Sequence, residues 1–179
     1  MINRLLAAAA MAICASATAA AQDADNTLIL ELESGPVTIE LLPEVAPNHV
    51  ERIKTLARDG FYDGVVFHRV IPGFMAQTGD PTGTGAGGSD LPDLKQEFNR
   101  TKHERGVVSM ARTSDPNSAN SQFFIMFDNT PSLDGQYTVF GRVIDGMDKI
   151  DGLKSGTMQN NGAVSNPDKI VKARIASDS

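Results

Sequence analysis

Apolar and polar positions alternate with a period of two along "TLILELESGPVTIELLP". Leu28, Leu30 and Leu32 form one row against Ile29, Glu31 and Glu33. Val37, Ile39 and Leu41 form another against Thr38, Glu40 and Leu42. Two such runs joined at Ser34-Gly35 predict a β-hairpin. The period then changes. In "EVAPNHVERIKTLARDG", Val50, Ile53, Leu56 and Ala57 fall on one helical face, Pro47 suits the first turn and Gly60 the stop. "VVFHRV" is β-branched and aromatic, so it reads as a strand. Pro72-Gly73 interrupts it, and "FMAQ" reads as its continuation. If Phe67 faces the core, alternation puts Arg69 on the same face and His68 on the other. Residues 80–93 are rich in Gly, Pro, Ser and Thr and read as a surface loop. Three more strand-like runs follow, Gly106–Ala111, Ser121–Phe127 and Tyr137–Ile144, separated by turn-forming segments. "GMDKIDGLKSG" predicts one short helix. "DKIVKARIAS" predicts a closing strand, with Ile170, Lys172 and Arg174 alternating against Val171, Ala173 and Ile175. The pattern is that of one mainly β domain with two helices, a sandwich or a closed barrel.

The first residues follow a different rule. "MINRLLAAAAMAICASATAA" places Arg4 before an apolar run and ends in small residues. This is the three-part layout of a secretory signal peptide, with cleavage expected after Ala21 and Ala19 as the alternative. The run is short for a span of about 20 residues, and Ile13 before Cys14 argues against a lipoprotein. The expected organisation is therefore a signal peptide at 1–21 and one domain at 22–179. Cleavage removes Arg4 alone from the charge count, leaving 15 basic against 22 acidic groups, a balance of −7. That disfavours nucleic acid and anionic membrane surfaces as partners. Cleavage also removes Cys14, the sole cysteine, and with it thiol chemistry and thiolate metal ligation. Export implies a periplasmic or secreted protein.

Three familiar chemistries fail on spacing. Gly83, Gly85, Gly87 and Gly88 resemble a phosphate loop, but a phosphate loop opens a helix and here "SDLPDLKQEF" follows, with Pro92 in the way. His49, His68 and His103 are not paired at metal-ligand spacing. No Gly-x-Ser-x-Gly elbow presents a nucleophile. What remains is Arg69 inside an apolar strand, which standing alone reads as an arginine reaching to the rim.

Three blocks change that reading. "FHRVIPGFMAQTGD", "MARTSDPNSANSQFFI" and "LDGQYTVFGRVIDGMD", in that order and spacing, resemble the cyclophilin family of peptidyl-prolyl isomerases, from about Asn26 to Ile175. The leader makes the chain similar to the exported bacterial type. The resemblance implies a closed antiparallel eight-stranded barrel capped by two α-helices. It implies that Arg69 is the catalytic arginine. It further implies that His68, Phe74, Met75, Gln77, Ala111, Arg112, Gln122, Phe124, Leu133 and Tyr137 bind substrate. Proline-containing polypeptides are the expected partners, with no cofactor, no metal and a monomeric state. A proline-peptide binding module or holdase with little turnover is the competing reading.

The chain departs from the best-known eukaryotic members at three groove positions: Ser132 replaces a tryptophan, Arg112 an asparagine and Tyr137 a histidine. The first implies weakened cyclosporin binding. None removes the arginine, so activity is expected to survive.

Overall fold

The computed structural model describes residues 24–178, so the proposed signal peptide lies outside the described residues. Eight strands are arranged in one antiparallel sheet: β1 (Thr27–Leu32), β2 (Gly35–Leu41), β3 (Arg69–Ile71), β4 (Met75–Thr78), β5 (Val107–Met110), β6 (Phe123–Met126), β7 (Val139–Asp145) and β8 (Ile170–Ile175). Their order across the sheet is β3-β4-β6-β5-β7-β2-β1-β8. Helix α1 (Pro47–Arg58) packs against β7 and β8, and the short α2 (Met147–Asp151) against β2.

The hairpin forms as its alternation predicts, and Leu28, Leu30, Val37 and Ile39 are fully buried. The turn falls one residue earlier than expected, at Glu33-Ser34, because Leu32 pairs with Gly35. In α1 the four predicted positions, Val50, Ile53, Leu56 and Ala57, all face the core. Its N-terminus has only Ala46 at the cap position. The carboxylate of Glu97, from a loop far along the chain, accepts the Asn48 and His49 backbone N–H groups at 3.2 and 3.1 Å instead.

Three local expectations are corrected. Pro72-Gly73 does not merely interrupt a strand. It reverses the chain, so β3 and β4 pair antiparallel, Arg69 opposite Gln77 and Ile71 opposite Met75. Arg69 also does not share the face of Phe67. The chain is irregular at 67–68, so both Phe67 and Val70 enter the core while Arg69 turns outward; the two-residue period cannot be counted across the break. In β8, a register shift opposite Glu31/Leu32 puts Ile170, Ala173 and Ile175 inside and leaves Val171 exposed.

The expected closed barrel is a curled sheet with an open seam. β3 and β8 share no ladder. The segment before β3 meets the start of β8 through Gly64 N–H to Ile170 O, Ile170 N–H to Val65 O and Phe67 N–H to Asp168 O. The free edge of β3 is taken up by a loop: Val70 N–H donates to Gly162 O, and Gly156 N–H to Val70 O. β3 has only three residues, and this loop occupies the edge that β8 would need for closure.

The curled sheet carries apolar side chains on both faces. The inner face holds the main core, including Val70, Ala76, Val108, Met110, Phe123, Ile125 and Phe140. The outer face of the same strands holds a second cluster of Ile71, Met75, Val107, Phe124, Met126 and Val139. A sheet packed on one side alone would expose polar residues on the other; here the second cluster is itself buried, under Leu42, Phe74, Ala111, Leu133 and Tyr137.

Candidate active site on the outer face of the sheet

Strand register lays one row of side chains across this outer face. Arg69 lies opposite Gln77, Gln77 opposite Phe124, and Phe124 opposite Ser109. Around the row lies a shallow pocket of about 110 Å³, lined by Arg69, Phe74, Met75, Gln77, Ala111, Arg112, Phe124, Leu133 and Tyr137. A closed cavity of about 150 Å³ holds benzene, so this one takes a single five-membered ring. Phe124 and Tyr137 meet edge to face at 5.5 Å and form one wall.

Arg69 is fixed at the pocket's edge by other side chains and backbone. Its Nε–H donates to Asn161 O at 3.0 Å, Nη2 to Asn161 Oδ1 at 3.0 Å and Nη1 to Gln77 Oε1 at 3.1 Å. A guanidinium has five N–H donors in a rigid fork. Three are spent on oxygen acceptors, and Nη1 has a further long contact of 3.9 Å to Met75 Sδ. A second Nη2 N–H keeps no oxygen partner among these contacts. Partial burial pushes the guanidinium below its usual pKa, with Tyr137 opposing, and it remains charged at neutral pH.

A polar relay leads away from Arg69. Gln77 Nε2 donates to Gln122 Oε1 at 2.9 Å, and Gln122 Nε2 donates to Gly85 O and Gly87 O at 3.0 and 2.8 Å. The relay ends on the glycine-rich loop, which binds its own anion. One Asp80 oxygen accepts Thr82 N–H and Oγ1–H at 2.7 and 2.8 Å. The other accepts the backbone N–H groups of Thr84, Gly85 and Gly87 at 3.0, 2.6 and 3.1 Å. These bonds outweigh burial and hold the Asp80 carboxyl far below the usual carboxylate range. A Cβ at Gly87 would lie 2.1 Å from Asp80 Oδ1, so the close approach requires glycine. The amides that resemble a phosphate cradle are filled from within.

Nine of the residues expected at the site line the pocket together; Gln122 and His68 do not. Gln122 is one step removed, behind Gln77, and lines an adjoining hollow of about 380 Å³ that shares Gln77, Ala111 and Arg112 with the pocket. His68 lies on the far side of Arg69, beneath Gly85, with both ring nitrogens buried and no hydrogen bond of good geometry, the Val66 backbone being the weak partner within reach. Burial pushes its pKa down. Arg112 forms the rim rather than reaching in. Its guanidinium stacks 4.5 Å above the Tyr137 ring and donates to Gln136 O and Thr113 O.

Asn161 was not foreseen. It ends a 3₁₀ turn (Met158–Asn160) in the left-handed conformation, φ 56°. "NNG" signals such a turn, but no local pattern says that it folds against β3. Among the described residues, no group of three or more His, Cys, Asp or Glu could hold a metal ion.

Comparison with known proteins identifies the family. A model of the family "Cyclophilin type peptidyl-prolyl cis-trans isomerase/CLD" matches residues 27–175. A probable peptidyl-prolyl cis-trans isomerase of Brucella suis is 54% identical, covering 99% of this chain and 97% of that one. A peptidyl-prolyl cis-trans isomerase-like protein of Aspergillus fumigatus is 43% identical over 84% of this chain and 96% of its own. Among solved structures, a cyclophilin from Hirschia baltica superposes with TM-score 0.78 at 35% identity, over 88% of this chain and 76% of that one. A Cryptosporidium parvum cyclophilin-type isomerase, crystallised in the presence of the dipeptide Ala-Pro, gives 0.76 at 31% identity, over 83% and 98%. The chain belongs to the cyclophilin-type peptidyl-prolyl cis-trans isomerase family. Its activity is rotation about the peptide bond that precedes proline.

Proposed function

We infer that the outer-face pocket is the active site and that Arg69 is its catalytic residue. The observation that carries this reading is a charged donor that lines a ring-sized apolar pocket, is locked by three hydrogen bonds and keeps an Nη2 N–H with no oxygen partner among them. A planar amide resists rotation, with a barrier of about 18–20 kcal/mol, because the nitrogen lone pair is delocalised. An X-Pro bond left alone takes tens to hundreds of seconds. Twisting localises the lone pair on the proline nitrogen and makes it an acceptor. The Nη2 N–H donates there, more strongly to the twisted state than to the planar one, which is differential binding of the transition state. No bond to the protein forms and no proton is transferred.

Phe74, Met75, Phe124, Leu133 and Tyr137 hold the pyrrolidine ring while the preceding carbonyl swings. Gln77 braces Arg69, and Gln122 braces Gln77. Turning tens of seconds into milliseconds requires about 10⁴-fold, or roughly 5–6 kcal/mol. One preorganised charged donor supplies about half of that, and loss of water from the amide supplies the rest, while the walls fix the ring so that the donor stays in register. His68 supports the strand from behind Arg69.

The substrates in this reading are proline-containing polypeptides, and a Cryptosporidium relative crystallised in the presence of the dipeptide Ala-Pro supports it. The leader pattern of residues 1–21 supports export and a role in folding outside the cytoplasm. Ser132, exposed beside the pocket, supports weak cyclosporin binding. The test is cis-trans exchange of a short X-Pro peptide. Wild type accelerates it, and Arg69→Ala lowers kcat/KM by about 10²–10³-fold. An unchanged rate in Arg69→Ala overturns the assignment.

A further inference from the structure

Beneath the pocket lies a polar triad. Ser109 Oγ is 2.9 Å from His103 Nε2, and His103 Nδ1 is 3.2 Å from Asp134 Oδ1. The order Ser, His, Asp is that of a hydrolase, but Ser109 and His103 are both fully buried. No substrate carbonyl reaches the hydroxyl, so the triad has other work.

We propose that His103 is a positioning residue that sets the shape of the proline pocket by clamping three of its walls at once. Its ring lies nearly parallel to Phe124, with centroids 6.3 Å apart and planes at 19°, and meets the Tyr137 ring edge-on at 6.4 Å. Its Nε2 end is tied to Ser109, the cross-strand neighbour of Phe124. Its Nδ1 end is tied to Asp134, the residue that ends the 3₁₀ turn carrying Leu133 (Pro131–Leu133). The backbone doubles this second tie, with His103 N–H donating to Asp134 Oδ1 at 2.8 Å and Thr130 N–H to His103 O at 2.9 Å. Phe124, Leu133 and Tyr137 come from β6, a 3₁₀ turn and the approach to β7, and His103 touches or bonds each of those elements or its neighbour.

The tautomer follows from the partners. An ionised Asp134 accepts only, so Nδ1 carries the hydrogen, and Nε2 accepts from the Ser109 hydroxyl. One neutral imidazole thus satisfies an acceptor and a donor on opposite sides. A phenyl ring of similar size fills the space but makes neither bond. The walls grip the pyrrolidine ring about equally in the planar and twisted states. Loosening them therefore weakens binding more than it slows the chemical step, whereas loss of Arg69 acts on the step itself.

This inference rests on the pocket being the active site, and its test separates the two. Steady-state isomerisation of a short X-Pro peptide is measured for wild type, Arg69→Ala and His103→Phe, with folding checked by thermal unfolding. We expect His103→Phe to raise KM about fivefold, the scale of one aromatic contact, with kcat within about twofold. His103→Gln, which retains a donor and an acceptor, recovers part of the loss. If His103→Phe does not fold, Ser109→Ala, which deletes the hydroxyl tied to Nε2 and leaves the Asp134 tie in place, carries the test with a KM rise of about twofold. Folded variants with unchanged KM overturn the inference. Failure of Arg69→Ala to lower kcat overturns the active-site reading instead.

Discussion

Asp80 and Arg69 are charged groups at the two ends of one polar relay, joined through Gln77, Gln122 and the carbonyls of Gly85 and Gly87. Both are held by several hydrogen bonds. Asp80 is almost fully buried, and both of its oxygens are occupied by its own loop. Arg69 is half-buried and gives three donors to oxygen acceptors of the protein while an Nη2 N–H remains for something else. A saturated charge organises structure. A charge that is immobilised but not saturated is ready to act on a ligand.

The largest effect expected from breaking this contrast falls on stability at the Asp80 end. Asp80→Ala strips the partner from several loop amides and destabilises the fold by about 3 kcal/mol, read as a shift in denaturant midpoint. Its isomerase activity, measured where the variant is folded, falls less than tenfold, because Arg69 keeps Asn161 and Gln77. A stable Asp80→Ala with lost activity would reverse the assignment of roles.

The smaller effect is in pH. The folded pKa of Asp80 is depressed, so its contribution is complete above about pH 4 and is lost as pH falls below that value. Burial also depresses His49, His68 and His103. A histidine kept neutral in the folded state takes up its proton more readily when unfolded, so this contribution is complete above about pH 6.5 and declines below it. Melting temperature should therefore hold steady from about pH 7 to 9, decline gently toward pH 5 and fall again below 4. Asp80→Asn should remove part of the last fall and leave the first. The rate constant carried by Arg69 should be flat from about pH 7 to 9, where a guanidinium stays charged.

The periodic elements were legible in the sequence because their cause is local. The hairpin rows of Leu28 to Leu41 and the four core positions of α1 obey periods of two and 3.6 that any buried face imposes. The pocket was legible only through the three blocks that resemble cyclophilins, since Phe74, Phe124 and Leu133 look like ordinary core by composition. Features that depend on distant segments were not legible. Arg69 faces outward because the chain is irregular at 67–68, and Asn161 reaches it only because the loop at 156–164 takes the free edge of β3. The same loop leaves the seam between β3 and β8 open. The glycines after Asp80 were rightly read as lacking a phosphate-loop helix, but their actual anion, the carboxylate of Asp80, is visible only in three dimensions.

The central claim is that Arg69 acts as an aimed N–H donor and not as a diffuse positive charge. Arg69→Lys tests this most directly, because it keeps the charge and loses the planar fork that Asn161 and Gln77 lock in place. In a peptide cis-trans exchange assay, the account predicts a fall in kcat/KM of about 10²-fold, close to that of Arg69→Ala. A lysine variant that retains the wild-type value within about threefold would contradict it.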